Sequence, residues 1–234
     1  MKTLFLEARA EIKITLPKSL LSKLPQRIAL FTTVQFFDNI ESIKEQLESE
    51  NKTVILLTSQ HSKYAGQALG CTIENFDAEI SKNHKNESFD AFLYIGDGMF
   101  HPEALLIKNQ KEVYCYNPYT EQTIVLDKHL MEKSIKQQKG ALLKFYSSQN
   151  IGIVISIKPG QYHLRKAREL EKRFPDKNFY KIMFSTIDFS QLENFNFIDC
   201  WVNTACPRIA YDDFKKFPKS VVDVNEIINP YKAR

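Results

Sequence analysis

A chain of 234 residues that is 43% hydrophobic and 26% charged has an ordinary globular balance and length for one large core or two small ones, which excludes disorder, collagen and coiled coil. Its 32 Lys and Arg against 28 Asp and Glu leave a net charge of +4, too weak a basic excess to mark a nucleic-acid protein. No apolar run reaches membrane length, and Glu7, Arg9 and Glu11 interrupt the opening stretch, so neither a span nor a signal peptide is expected and the chain reads as cytoplasmic.

From Arg27 the pattern predicts a strand over Ile28 to Phe31, a turn through Thr32-Thr33-Val34-Gln35, and a helix with Phe37, Ile40, Ile43 and Leu47 inward. A continuous β-rich run, Thr53 to Leu57, reads as a strand covered on both faces and completes a βαβ unit. A polar loop then ends at Cys71. Further strands are expected at Ala91 to Ile95, Val113 to Tyr116 and Thr123 to Leu126, with a short helix beginning around Pro102. His129 to Tyr146, Lys-rich but carrying Leu130, Met131, Ile135, Leu142, Leu143 and Phe145, reads as a long helix with a solvated face. Ser147-Ser148-Gln149-Asn150 is the strongest boundary signal.

The second half repeats the plan: strand Ile151 to Ser156, turn Lys158 to Gln161, a helix with Leu164, Ala167, Leu170 and Phe174 inward, strand Phe179 to Phe184, and strand Ile198 to Val202 leading to Cys206-Pro207. Each half therefore runs strand, glutamine-bearing turn, helix, strand and later loop cysteine. The expected fold is α/β: two similar domains, each a parallel-sheet α/β sandwich, related by internal duplication. The expected divisions are an N-terminal segment 1–27, a middle domain 28–147 and a C-terminal domain 148–234. Ligands of open parallel sheets bind at the carboxyl edge, where the turns after the strands collect.

The four cysteines show no CxxC spacing, so any metal role must join residues distant in sequence. Cys115 and Cys200 sit inside apolar strand runs, where burial is the default. Cys206 follows a strand, beside Pro207 and Arg208, and can face a cleft as a thiolate or pack as a small hydrophobe. Five of the seven glycines fall in three short segments: Gly66 and Gly70 before Cys71, Gly96 and Gly98 before Phe100-His101-Pro102, and Gly160 in Lys158-Pro159-Gly160-Gln161. Backbone drawn tightly around a ligand explains them, and so does a structural turn. His101 stands at a strand-to-helix turn as an anion-facing residue or a plain cap. Lys158 supplies a mobile point charge for a carboxylate or phosphate, but the GxxxxGK[ST] pattern is missing. His61, His84, His129 and His163 are scattered among polar residues and expected to be exposed.

YAGQALGC ending at Cys71, YIGDGMFHP ending at Pro102, ISIKPGQ ending at Gln161 and WVNTACPRIAYDD ending at Asp213, in that order, resemble the archaeal 2-(3-amino-3-carboxypropyl)histidine synthases of diphthamide synthesis. Phe5-Leu6-Glu7-Ala8-Arg9 and Leu30-Phe31-Thr32-Thr33-Val34-Gln35 resemble them too. The resemblance implies a noncanonical radical enzyme in which three cysteines, one from each of three similar domains, hold a 4Fe-4S cluster bound to S-adenosyl-L-methionine. A 3-amino-3-carboxypropyl group would pass to a histidine of translation elongation factor 2. Carried over by motif, Cys71 and Cys206 are two of the cluster ligands. Gln35, Gly96, Phe100, His101, Lys158, Gly160, Gln161 and Arg208 occupy motifs near the expected cofactor cleft, where the two thiols should converge. The segment ending at Arg9 resembles the close of the family's first domain. A separate polypeptide, or a second copy in a homodimer, is then expected to supply the third cysteine, and an electron donor is required. The alternatives are a non-catalytic accessory subunit and an elongation-factor-binding module.

Overall fold

The computed structural model describes residues 4, 6–59, 61–71, 73–76 and 88–229. The chain divides into two compact units, Met1–Met131 and Glu132–Arg234. The expected division at Ser147 to Asn150 marks instead the end of a helix, Glu132–Ser147, that belongs to the second unit. Its Ala141 and Phe145 are buried with Ile151, Ile153 and Val202 of the second sheet, so packing places the division before the helix.

The first unit is a five-stranded sheet of β1 (Arg27–Thr32), β2 (Thr53–Ile55), β3 (Ala91–Ile95), β4 (Val113–Tyr116) and β5 (Thr123–Leu126), in the order β2-β1-β3-β4-β5. All neighbours are parallel except β5, which pairs antiparallel with β4. β1 and β3 are almost wholly buried, as apolar runs covered on both faces should be. A 3-10 segment, Val34–Asn39, precedes the helix Ile40–Ser49, whose Ile40, Ile43 and Leu47 pack on Ile28, Leu30 and Leu93. The expected helix thus begins three residues after Phe37.

A segment ahead of β1 straps this unit. Ala10 N–H donates to the Gln35 carbonyl at 2.7 Å, Ile14 N–H to Asn39 Oδ1 at 2.9 Å and Leu16 N–H to Gln46 Oε1 at 2.8 Å. Arg9 lies over the rings of Phe37 and Tyr64, 5.5 and 5.4 Å from their centroids, and pairs with Glu7 and Asp38 at 2.6 Å each. Hydrogen bonds from Lys63 and Arg9 hold the Glu7 carboxyl at about 2, below its ordinary 4.5. A carboxyl lowered in the fold contributes stability above its unfolded value and loses it as pH falls. Strap protection should therefore be complete above about pH 4.5 and fade toward pH 2, and Glu7→Gln should flatten that dependence, as read by hydrogen exchange at the Ala10 and Ile14 amides.

The second unit holds β6 (Asn150–Ser156), β7 (Asn178–Phe184), β8 (Cys200–Asn203) and β9 (Val221–Asp223), all parallel, in the order β7-β6-β8-β9. Alternation along β6 sends Ile151, Ile153 and Ile155 into one apolar cluster, with the helices Glu132–Ser147 and Leu164–Arg173, and Val154 into another on the opposite face. The long helix expected over His129 to Tyr146 is a 3-10 turn, Lys128–Met131, followed by the helix Glu132–Ser147, which buries Gln138, Ala141 and Phe145 and leaves Leu143 71% exposed. β9 and the helix Val224–Ile228 that follows it are additional to the predicted elements. Among the described residues no helix is long and apolar enough to cross a membrane.

Candidate functional site

In the first unit, parallel pairing of Thr32 with Ile95 brings the ends of β1 and β3 to one sheet edge. Thr32 is the junction. Its N–H donates to the Gly66 carbonyl and its carbonyl accepts from Ala68, both at 2.8 Å, while its hydroxyl donates to the Ile95 carbonyl at 2.8 Å. The segment Gly66 to Ala68 is thereby hung from β1 as a short strand extension, which delivers Cys71 to the carboxyl edge in an exposed position. Gln67, 8% exposed, accepts from the Lys63 and Tyr64 N–H groups at 2.8 and 3.2 Å and so closes the preceding turn.

The Gly96 to His101 turn leaves the same edge. A Cβ at Gly70 would lie 2.3 Å from the Phe100 ring, so Phe100 seats directly on the backbone beside Cys71. Tight ligand wrapping is thus not what keeps Gly66 and Gly70 small: Ile40 and Leu56 crowd the first and Phe100 the second. The Tyr94 hydroxyl crowds Gly96 in the same way, 2.5 Å from where a Cβ would stand. His101 is no cap. The helix is Phe100–Leu106, beginning before Pro102, and the His101 ring stacks on buried Tyr94 at 6.2 Å and 12°. Gln35 Nε2 donates to the Tyr119 hydroxyl at 2.9 Å, joining the turns after β1 and β4.

In the second unit β6 and β8 run parallel, so Lys158 to Gln161 and Cys206 share a sheet edge. The Lys158 N–H donates to the buried Ser156 hydroxyl at 3.1 Å and Gln161 N–H to the Lys158 carbonyl at 3.1 Å. Gly160 adopts φ +78 with open space around it, a left-handed position that a side chain would strain, and it leaves its backbone approachable. Cys206 is half-buried and immediately precedes the helix Pro207–Asp212. Arg208 is 4% exposed and its Nε donates to Asp212 at 2.7 Å, an i,i+4 pair within that helix.

The residues that sequence reasoning missed lie behind Cys206. Asn203, fully buried at the end of β8, donates through Nδ2 to the Cys206 carbonyl at 2.9 Å and to Asp223 at 3.1 Å, and accepts from Ala205 N–H at 3.1 Å. Burial pushes the Asp223 carboxyl up to about 6, against opposing hydrogen bonds from Asn225 and Asn203 and the charge of Lys166. Gln138 Oε1 accepts from the Asp223 N–H at 3.0 Å, and Gln138 Nε2 donates to the carbonyls of Ala210 and Val221. The available signal was a polar residue on the inward stripe of the Lys-rich helix.

The other two thiols are sealed. Cys115 and Cys200 are 7% and 0% exposed, and burial pushes both up to about 12. Alkylation of the native chain should mark Cys71 first and Cys206 next, with Cys115 and Cys200 reacting only on unfolding, as peptide mass spectrometry will show. His61 and His129 are exposed and His163 is partly buried, whereas His84 and Phe5 lie outside the described residues. Among the described residues no three His, Cys, Asp or Glu side chains gather as a metal site. Cys71 and Cys206, one per unit, remain the soft donors with access to a sheet edge.

Comparison with known proteins bears on these edges. The family described as putative diphthamide synthesis protein matches residues 1–229. The 2-(3-amino-3-carboxypropyl)histidine synthase of Pyrococcus horikoshii is 28% identical over 232 residues, covering 96% of this chain and 64% of its own length. Subunit 1 of the Kluyveromyces lactis synthase is 30% identical over 241 residues, covering all of this chain and 54% of its own. The crystal structure of Dph2 from Pyrococcus horikoshii with a 4Fe-4S cluster superimposes with a TM-score of 0.70 at 27% identity, over 89% of this chain and 58% of that one. The chain thus spans between about half and two-thirds of the length of these relatives. With a match running from the strap to the last described helix, through both cysteine-bearing edges, the chain belongs to the putative diphthamide synthesis protein family.

Proposed function

We propose that this chain forms part of a 2-(3-amino-3-carboxypropyl)histidine synthase acting on a histidine of translation elongation factor 2, the first step of diphthamide synthesis. In the net reaction the bond from the sulfonium sulfur of S-adenosyl-L-methionine to the 3-amino-3-carboxypropyl carbon breaks. A carbon–carbon bond forms to imidazole C2, that carbon's proton is lost and 5′-methylthioadenosine leaves. The observation that carries the reading is the sorting of the four thiols: one accessible sulfur follows a parallel strand in each unit, while Cys115 and Cys200 are buried within strands. Soft thiolates suit iron and sulfide, so the donor set fits a 4Fe-4S cluster, with Cys71 and Cys206 as two ligands. Such a cluster, when bound, would supply the one-electron chemistry that opens the sulfonium, its electron coming from an external donor.

The chain's own residues then have assignable tasks. Gln35, Gly96, Phe100 and His101 border the Cys71 edge and give a ligand aromatic and amide surface. Lys158, Gly160 and Gln161 form an approachable turn with a mobile cation, suited to the amino-acid carboxylate of S-adenosyl-L-methionine. Arg208, held by Asp212, steadies the helix that follows Cys206. A further polypeptide or a second copy completes the ligand set, and catalysis is assigned to the cytoplasm.

Anaerobic reconstitution tests this, with the chain alone and with a polypeptide carrying the remaining domain. Four irons and four sulfides per site, a paramagnetic signal after reduction and transfer of carboxyl-labelled S-adenosyl-L-methionine to elongation factor 2 are expected in the completed sample. No cluster in either sample would overturn the reading. Continued diphthamide formation in cells whose only copy carries Cys71→Ala with Cys206→Ala would identify the chain as an accessory or docking subunit.

A further inference from the structure

The thiolate of a cluster ligand must be aimed as well as exposed, and the turn from β8 to Cys206 is bound at every residue. Thr204 donates to the Val154 carbonyl through both its N–H, at 3.1 Å, and its hydroxyl, at 2.9 Å. Ala205 N–H is taken by Asn203 Oδ1, and the Cys206 carbonyl accepts from both Asn203 Nδ2 and Ile209 N–H, at 2.9 and 3.0 Å. A primary amide donates twice and accepts at once, which neither a carboxylate nor a hydroxyl does. Asn203 uses all of this in a fully buried position.

We infer that Asn203 is the positioning residue for Cys206, clamping the carbonyl of the cysteine and thereby fixing where its sulfur points. The inference rests on the reading of Cys206 as a cluster ligand. The clamp is itself anchored. Asp223 takes the second Nδ2 hydrogen at 3.1 Å, accepts from the Asn225 N–H at 3.0 Å and from Asn225 Nδ2 at 2.8 Å, and is held at its own N–H by Gln138. One amide thus ties the cysteine turn to β9 and to the long helix behind it. Loss of the bond from Asn203 leaves the Cys206 carbonyl held by Ile209 N–H alone, which loosens the turn, while β8 stays paired on both sides, so the sulfur loses direction before the sheet loses order.

Two variants separate aiming from mere folding: Asn203→Ala, and the exchange Asn203→Asp with Asp223→Asn. The exchange can keep the 203–223 bond and the bond from Ala205, but it points a carboxylate oxygen at the Cys206 carbonyl. In the metal-free chain both variants should raise the alkylation rate of Cys206 relative to Cys71 about 3–10-fold, the scale of one hydrogen bond, while Cys200, six residues upstream of Cys206, stays protected. In the reconstituted, completed enzyme both should alter the paramagnetic signal of the reduced cluster or lower iron content against wild type. Unchanged Cys206 labelling and an unchanged signal overturn the inference, as does labelling of Cys200 in step with Cys206 in both variants. Failure of the wild type to take up iron, with the Cys206 labelling shift still present, refutes the cluster reading and leaves the clamp standing.

Discussion

Under the proposed function, Cys71→Ala and Cys206→Ala are each expected to lower 3-amino-3-carboxypropyl transfer more than about 100-fold in the completed enzyme, beyond the 10–100-fold that loss of an outer partner of a metal ligand costs. Cys115→Ala and Cys200→Ala should leave transfer within about twofold. Chemistry dictates the contrast. Only an accessible thiolate binds iron, and Cys115 and Cys200 lie in strands where burial pushes their thiols up to about 12. Those two replacements act on packing instead, removing a small buried group, and should show as a lower denaturation midpoint with the cluster intact. Iron content measured beside activity separates the two classes. A Cys71→Ala enzyme with full iron and full transfer would remove this cysteine from the reaction.

That sorting of the cysteines was legible in the sequence, since Val113 to Tyr116 and Ile198 to Val202 are continuous apolar runs, whereas Cys71 ends a polar loop and Cys206 comes after its strand, beside Pro207. The same continuity placed β3, β4 and β5 to the residue. β9 escaped because three residues, Val221 to Asp223, run into an apolar helix without a change of composition. The boundary after Ser147 was misplaced because polar residues at a helix end look like those of a linker. Only tertiary contacts, here Phe145 and Gln138 against the second sheet, assign a helix to its domain.

The site was legible in part for a related reason. Motif residues announce exposed turns, whereas a clamp is an ordinary residue in an unusual place. Nothing in Trp201-Val202-Asn203-Thr204 says that the amide is fully buried; β8 must first be paired on both sides. Glycine carries the opposite ambiguity. The gaps beside Gly70 and Gly96 are filled by the chain's own Phe100 and Tyr94, so their smallness serves packing at an edge rather than contact with a ligand. Phe100, 43% exposed, remains able to meet a ligand with the ring's outer part while its inner part seats the Cys71 loop.

Trp201→Ala should destabilise the second unit by about 3–5 kcal/mol, the range for deleting a buried aromatic side chain, out of the roughly 5–15 kcal/mol that holds a domain folded. Trp201 is fully buried on β8, opposite Gly152 of β6, and a Cβ at residue 152 would stand 2.5 Å from its ring. Gly152 and Trp201 are therefore one packing unit: the indole fits because its partner has no side chain. Gly152→Ala should cost about 1–3 kcal/mol by overpacking, since the sheet backbone cannot yield. Trp201→Phe should cost less than Trp201→Ala by more than volume alone explains, because the indole N–H has no hydrogen-bond partner among the described residues and its removal ends a desolvation penalty. Combined, Gly152→Ala and Trp201→Phe should destabilise less than the sum of the two, the smaller ring making room for the methyl. Urea unfolding followed by tryptophan-independent circular dichroism reads all four variants. Strict additivity in the double variant would show that the two residues do not share one space.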